Sequence, residues 1–326
     1  MSRALVLGAL LSAGVTLGAA LWGCDGVSAD AGSDEPIRVT GATFETGDLP
    51  GSPLPDGGTP KSPDVTFIAS VNNVLIPGQA GRTMSGNTSP DTSSVAMKLG
   101  DAGTGYWLIT PGSPDPAAMG ALTWSATFDV AETAPRGLTT MRFAAIDANG
   151  KAGTQNETTV CVLDTIPDNL NACDPTIQPP MAVLSLEWDS NADLDIIVVT
   201  PSGEVLSPKH PSTAKTLDGG LSKPDASVDG ILDHDSNANC VAGNRRENVV
   251  WQGTPAAGTY LVYVDMYSAC GEQAARFQAT LWLAQQNGKD WSQVQKDQFA
   301  GELLAIDANA GATKGLYVGS FTLPEP

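Results

Sequence analysis

Leu122-Thr123-Trp124-Ser125-Ala126-Thr127-Phe128 places an apolar side chain at every second position. In an extended chain Leu122, Trp124 and Phe128 therefore lie on one face, with serine and threonine on the other. This period of two indicates a strand that is buried on one side and solvated on the other. Asn149-Gly150, a strong hairpin-turn signal, follows the next alternating segment. The surrounding region is therefore predicted to be all-β.

Similar short patterns fill residues 63–165, from Val65-Thr66-Phe67-Ile68-Ala69 to a closing strand over 158–163. About seven short strands in about 100 residues are typical of an immunoglobulin-like β-sandwich. The segment Ala145 to Gly153 also resembles the strand and turn near the end of bacterial immunoglobulin-like and cadherin-like modules. We expect one such sandwich over 63–165, followed by a Pro/Asn/Asp-rich linker over 166–180.

Alternation resumes in residues 181–326, where Leu184, Leu186 and Trp188 share one face of a predicted strand. Further strands are predicted over 193–200, 248–251, 258–267, 276–283, 302–306 and 315–323, whereas residues 290–299 are predicted to form one helical turn or more. Residues 207–247 are mostly loop. The pattern predicts a second β-sandwich over 181–326, so the fold class is all-β with two β-sandwich domains.

Five motifs of this second region resemble a known family. They are Leu186-Glu187-Trp188-Asp189, Asp193-Leu194-Asp195-Ile196-Ile197-Val198, Pro201-Ser202-Gly203-Glu204, Glu247-Asn248-Val249-Val250-Trp251 and the segment 255–264. Their order and spacing resemble the YfaP-like, pre-peptidase-C-terminal-like β-sandwich of exported bacterial proteins. The chain departs from that family in an insertion bearing Cys240 and Cys270. The resemblance implies a jelly-roll-like accessory module rather than a catalytic domain.

The N-terminus has the anatomy of an export signal. Arg3 precedes an apolar run that ends in Leu21-Trp22-Gly23-Cys24. This tetrad resembles a bacterial lipobox, which implies removal of residues 1–23 and lipidation of Cys24. An ordinary signal peptide or a single membrane anchor is the alternative. Residues 24–62 are predicted to be a lipidated flexible linker, although Ile37 to Phe44 can form a lone strand that docks.

The composition indicates an acidic protein without catalysis of its own. The 326 residues include 36 Asp and Glu against 17 Lys and Arg, a formal net charge of −19. Such a surface repels nucleic acid and attracts Ca²⁺ or cationic partners. The chain contains two histidines, His210 and His234, which leaves little scope for zinc or histidine-based acid–base chemistry. We therefore expect neither an enzyme nor a nucleic-acid partner.

Four cysteines remain after Cys24, and an even number in an exported chain suggests two disulfides. Three connectivities are possible. Spacing favours Cys161–Cys173 and Cys240–Cys270, because each pair then lies within or beside one predicted domain. Thiolate metal binding is disfavoured, since the sequence has no CxxC or CxxH spacing.

Two acidic runs are the best candidate site. They place oxygen ligands at alternate positions and contribute Asp189, Asp193 and Asp195 from the first run and Asp233, Asp235 and Asn237 from the second. Ca²⁺ takes six to eight oxygen ligands, so one run alone is too few and both must converge. Neither run is an EF-hand loop. The alternatives are a solvated acidic loop or neutralisation by Arg245 or Arg246.

These features predict a lipid-anchored cell-envelope protein of a Gram-negative bacterium, either periplasmic or surface-exposed. We expect a non-catalytic binding or adhesion module, stabilised by Ca²⁺, with an unidentified protein or glycan ligand. One alternative is an accessory or glycan-targeting component of an extracellular enzyme system, which outward-facing aromatic rows would favour. The other is a purely structural envelope protein.

Overall fold

The computed structural model describes residues 31–53, 59–69, 73–214, 223–241 and 244–324. Its strands form four sheets that pack as two β-sandwiches, which confirms the expected fold class. The described helical segments are two short 3₁₀ turns, Ala238–Cys240 and Ala305–Asp307. Within these residues no helix has the length and apolarity needed to cross a membrane. Cys24 and the predicted signal peptide lie outside the described residues.

Among its described residues, the first sandwich has eleven strands in two sheets. Their bounds are β1 Ile37–Val39, β2 Thr43–Thr46, β3 Ser52–Pro53, β4 Val65–Ala69, β5 Val74–Leu75, β6 Arg82–Thr88, β7 Thr92–Leu99, β8 Gly105–Ile109, β9 Leu122–Val130, β10 Gly137–Asp147 and β11 Ala152–Val162. One sheet has the order β1-β9-β6-β4, and the other has β2-β8-β7-β10-β11-β3 with β5 also paired to β11. Trp124 of β9 meets Phe143 of β10 across the core, with ring centroids 5.1 Å apart.

Residues 31–53 belong to this first sandwich, so the prediction of a flexible linker over 24–62 is wrong for that segment. β1 pairs with β9, and the buried side chains of Ile37 and Val39 join the core. Trp107 donates its indole N–H to the carbonyl of Ile37 at 2.8 Å. The buried carboxylate of Glu35 accepts from Thr104 N at 2.7 Å. These contacts offset the entropy of ordering a segment that has few large apolar residues.

In the described part of the second sandwich there are nine strands. Their bounds are β12 Ala182–Trp188, β13 Asp193–Val199, β14 Val205–Leu206, β15 Ile231–Leu232, β16 Arg246–Trp251, β17 Gly258–Ser268, β18 Ala274–Asn287, β19 Asp290–Leu304 and β20 Leu316–Leu323. The sheets have the orders β15-β16-β12-β18-β19 and β14-β13-β17-β20. Between them Tyr260 stacks on Phe321 at 5.0 Å and meets Trp251 at 5.7 Å. This aromatic cluster fills the core.

The helical turn predicted over 290–299 is wrong, because these residues lie in β19. β19 pairs with β18 along almost its whole length and forms the edge of its sheet. An edge strand exposes many polar side chains, and Gln295, Lys296 and Gln298 are all solvent-exposed. Such residues favour a helix locally, but the ladder to β18 overrides that weak preference.

Both predicted disulfides are present, Cys161–Cys173 and Cys240–Cys270. Two disulfides are typical of a chain that folds outside the cytoplasm. The first bond pins the 166–180 connection to β11 of the first sandwich. The connection also contacts the second sandwich, where Trp291 N donates to Pro175 O at 2.6 Å and Gln293 donates to Pro167 O at 3.0 Å. The linker is therefore attached to both sandwiches.

Candidate metal site

Two aspartates of the site stand at the start of β13. Leu194, Ile196 and Val198 are fully buried in the core of the second sandwich. Because side chains alternate along a strand, Asp195 lies on the opposite face. A bulge between Asp193 and Leu194 shifts the pairing register of β13 with β17. Both residues are nevertheless buried, since Asp193 is only 2% exposed and Asp195 only 6%.

The second acidic run follows β15 and brings Asp235 to the same place. One carboxylate oxygen each from Asp193, Asp195 and Asp235 lie within 4.8 Å of one another. The run continues to Cys240, whose disulfide to Cys270 ties it to the chain just after β17. The three side chains open into a cavity of about 230 Å³, which is also lined by Pro208, Lys209, Ala238, Asn239 and Tyr267.

Glu247 holds the two runs together from beneath the site. It is fully buried on β16, and its Oε2 accepts from Ile196 N at 2.9 Å while its Oε1 accepts from Ser236 N at 3.0 Å. These N–H groups belong to the residues that directly follow Asp195 and Asp235. Burial raises the pKa of Glu247 well above its ordinary value, with the charge of Asp195 adding to that effect. One carboxylate therefore fixes the spacing of both ligand runs.

Asp265 adds a fourth carboxylate beside the cluster. It stands opposite Asp195 in the ladder between β13 and β17 and is fully buried. Its Oδ1 accepts from Asn309 Nδ2 at 2.5 Å, whereas its Oδ2 has no hydrogen-bond partner among the described residues. Burial raises the pKa of Asp265. Sequence analysis missed this residue because only the strand pairing brings it next to Asp195.

The site holds more negative charge than its surroundings stabilise. Burial, with the neighbouring charge of Asp193 as the next contribution, raises the pKa of Asp195 to about 8. Burial raises the pKa of Asp193 to about 6 and also raises that of Asp235. One oxygen of Asp193 accepts from Asn239 N at 3.0 Å, but its Oδ1 is buried without a partner in the described part of the chain. A cation, a proton or a water molecule can supply the partner that such an acceptor lacks.

The nearby cations do not meet that need. Arg245 donates to Asn191 Oδ1 at 2.8 Å, and Arg246 forms an ion pair with Glu187 at 2.9 Å. Neither arginine is the counter-charge that the sequence suggested as an alternative. Lys209 lines the cavity, and its charge lowers the pKa of both Asp195 and Asp265. Burial outweighs this effect, so both pKa values stay raised, and the ammonium group also donates to Gly311 O at 2.5 Å.

The other three predicted ligands are not part of the cluster and form hydrogen bonds or ion pairs with neighbouring residues instead. Asp189 Oδ1 accepts from Arg276 N on β18 at 2.9 Å. Asp233 accepts from Asn248 Nδ2 at 2.7 Å and forms an ion pair with His234 at 2.9 Å. Asn237 donates its amide to Ala192 O at 3.0 Å, which ties the second run to the first. The described residues that could hold a metal ion are thus Asp193, Asp195 and Asp235.

No protein-family model matches this chain, and no curated protein sequence matches it either. Several solved structures resemble it distantly, among them the following two. Latent PorU from Porphyromonas gingivalis is 13% identical, with a TM-score of 0.22, over 86% of this chain and 21% of PorU. An endo-fucoidan hydrolase of glycoside hydrolase family 107 is 14% identical, with a TM-score of 0.17, over 73% of this chain and 34% of the hydrolase. The chain therefore spans about a fifth and about a third of these proteins.

Proposed function

We propose that this chain is a non-catalytic binding module of the bacterial cell envelope whose second sandwich holds Ca²⁺. The observation that carries the proposal is the meeting of Asp193, Asp195 and Asp235 around one cavity, with buried carboxylate oxygens left unpartnered. A divalent cation neutralises this charge and supplies the missing partners. Carboxylate oxygens are hard ligands of the kind that Ca²⁺ and Mg²⁺ prefer.

The arrangement favours Ca²⁺ over Mg²⁺. Ca²⁺ takes six to eight oxygens in flexible geometry, whereas Mg²⁺ demands near-ideal octahedral coordination at about 2.0–2.1 Å. Here the ligands come from a strand and from a loop held by a disulfide, and protein oxygens fill only part of the coordination shell. Ca²⁺ tolerates this irregular and incomplete set. Extracellular modules of this kind bind at about 10⁻⁴–10⁻³ M.

The cell-envelope part of the proposal rests on sequence features and on the disulfides. Cys24 follows a segment that resembles a lipobox, and both disulfides are consistent with an oxidising compartment. The motif order of residues 182–284 resembles the YfaP-like accessory modules of exported proteins. In this proposal the lipid anchors the N-terminus of the chain in a membrane, and the two sandwiches extend away from that membrane. The partner is a protein or glycan rather than nucleic acid, which the net charge of −19 repels.

Thermal unfolding of the full-length protein, with and without 5 mM Ca²⁺, tests the proposal. With a dissociation constant of about 10⁻⁴–10⁻³ M, 5 mM Ca²⁺ is about 5–50 times that constant, so one site adds about 1–2.3 kcal/mol to the free energy of unfolding. We expect Ca²⁺ to raise the unfolding midpoint by several degrees, and Mg²⁺ to raise it less. Asp297→Asn, which removes a charge from β19 of the same sandwich, should respond to Ca²⁺ like the wild type. Equal responses to both ions would leave only a solvated acidic loop.

One observation favours glycan targeting as a second candidate function. Tyr263, Tyr267 and Tyr317 stand on the outer face of the sheet that carries the carboxylates, and two of them are exposed. Outward tyrosines on a β-sandwich are the feature that distinguishes a glycan-targeting accessory module from a purely structural protein.

A further inference from the structure

A pair of tyrosines, one exposed and one half-buried, lies on the outer face of the sheet formed by β14, β13, β17 and β20. Along β17 the even-numbered residues from Tyr260 to Met266 are buried in the core, so the odd-numbered residues between them face outward. Tyr263 is one of these outward residues and pairs with Tyr317 of β20. Their ring centroids are 5.4 Å apart at 62°, and Tyr317 is 51% exposed.

The strand that carries Tyr263 also carries two residues beside the metal site. Asp265 follows Tyr263 on the same face, two residues or about 6.8 Å further along the strand, and stands opposite Asp195. Tyr267, which is 37% exposed, lines the cavity into which the three aspartates open. Tyrosine rings therefore flank the carboxylates along one side of the sandwich.

A metal bound by the three aspartates keeps open coordination positions. Asp193, Asp195 and Asp235 each offer one oxygen to a shared metal, which makes three ligands. Even with one oxygen from the neighbouring Asp265, this number is below the six to eight that Ca²⁺ takes. The remaining positions face the cavity, where water or an oxygen-rich ligand can complete the shell.

We propose that this face binds a neutral polysaccharide, with adjacent hydroxyl groups on the metal and a neighbouring sugar ring against Tyr317. The inference rests on the proposed calcium site. Sugar hydroxyls are hard oxygen ligands, and the apolar side of a sugar ring suits tyrosine, which has an apolar body and a polar tip. A cavity of about 230 Å³ is smaller than the pockets of drug-sized ligands and fits about one sugar ring. The net charge of −19 disfavours an acidic polysaccharide.

Affinity gel electrophoresis of the full-length protein in galactomannan, a neutral polymer with adjacent cis-hydroxyl groups, tests the inference. We expect the wild type to be retarded in 5 mM Ca²⁺ and to run freely in EDTA. Tyr317→Ala should weaken binding at least fivefold while its thermal response to Ca²⁺ is unchanged. Phe67→Ala, which removes a 56%-exposed aromatic ring from the first sandwich, is the matched control and should bind like the wild type.

The outcomes separate this inference from the calcium proposal. A protein that is stabilised by Ca²⁺ but is not retarded by galactomannan overturns the polysaccharide inference and leaves the calcium site standing. Retardation that survives EDTA, or that is unchanged in Tyr317→Ala, also overturns it. Stronger binding to dextran sulfate than to galactomannan overturns the neutral ligand class. A protein that shows neither a calcium response nor retardation overturns both proposals.

Discussion

Asp195→Asn should stabilise the metal-free protein and abolish its response to Ca²⁺. Asp195 is 6% exposed, beside Asp193 and opposite Asp265, with Asp235 also close. Its charge is therefore unfavourable in the folded chain unless a cation is present. Asparagine has nearly the same size, removes the charge, and offers an N–H donor to the neighbouring carboxylates.

The magnitude follows from the pKa of Asp195, which burial raises from 3.8 to about 8. Each pH unit between these values is worth about 1.4 kcal/mol, so ionisation destabilises the folded state by at most about 6 kcal/mol. The loss is absent below about pH 4, where the side chain is protonated in both the folded and unfolded states. It grows as the pH rises towards 8 and is complete above that. Asp195→Asn removes this dependence.

Scanning calorimetry of the wild type, Asp195→Asn and Asp297→Asn at pH 5 and pH 8, in EDTA and in 5 mM Ca²⁺, measures the effect. In EDTA at pH 8 the midpoint of Asp195→Asn should exceed that of the wild type by several degrees, since 1 kcal/mol shifts a domain of this size by about 2–4 °C. At pH 5 the difference should shrink. Ca²⁺ should raise the unfolding midpoints of the wild type and of Asp297→Asn, but not that of Asp195→Asn. A lower midpoint for Asp195→Asn in EDTA at pH 8 would refute the reasoning, because it would mean that the carboxylate already has a stabilising partner.

Three further predictions concern other residues. Glu247→Gln should weaken Ca²⁺ binding about tenfold in a calorimetric titration. Glutamine has one side-chain oxygen, so it can accept a hydrogen bond from Ile196 N or Ser236 N with that oxygen but not through two separate oxygens. The surface change Glu302→Gln is the control and should have no effect. Replacing both Cys161 and Cys173 by serine should lower the free energy of unfolding by about 3 kcal/mol in a urea titration; an unchanged midpoint would show that the connection is held by its other contacts. Cys24→Ala should release the protein from membranes into the soluble fraction on cell fractionation, and membrane retention of this variant would exclude the lipid anchor.

Local patterns were enough to predict strands such as β4, β9, β12 and β13, though not β19, and both disulfides. The alternation around Trp124 and Leu186 marks buried faces directly, because side chains alternate across a strand. Cysteine spacing selected the two pairs that the structure contains. The two acidic runs were also visible, and Asp193, Asp195 and Asp235 do converge.

The rest of the site depends on contacts between residues far apart in sequence. Asp265 enters through the register of β17 against β13, and Glu247 through hydrogen bonds to residues 51 and 11 positions away. No local pattern encodes such pairings. The sequence does contain a partial signal for Asp265, because this residue interrupts an otherwise apolar and aromatic strand. A carboxylate at a buried position is rare unless it is paired with another group.

The two errors in the fold have a common origin. Residues 31–53 and 290–299 are rich in polar residues, and they were predicted to form part of a flexible linker and a helical turn. Each is ordered by pairing with a neighbouring strand, β1 with β9 and β19 with β18. Local propensity is a weak guide where ladder hydrogen bonds and a few buried side chains, such as Ile37, contribute more.

The central claim, that Asp193, Asp195 and Asp235 together hold Ca²⁺, is tested most directly by equilibrium dialysis of calcium against the full-length protein. We expect one ion per chain, with a dissociation constant of about 10⁻⁴–10⁻³ M, and loss of that binding in Asp195→Asn but not in Asp297→Asn. Absence of binding at millimolar calcium, or equal binding by Asp195→Asn and the wild type, would contradict it.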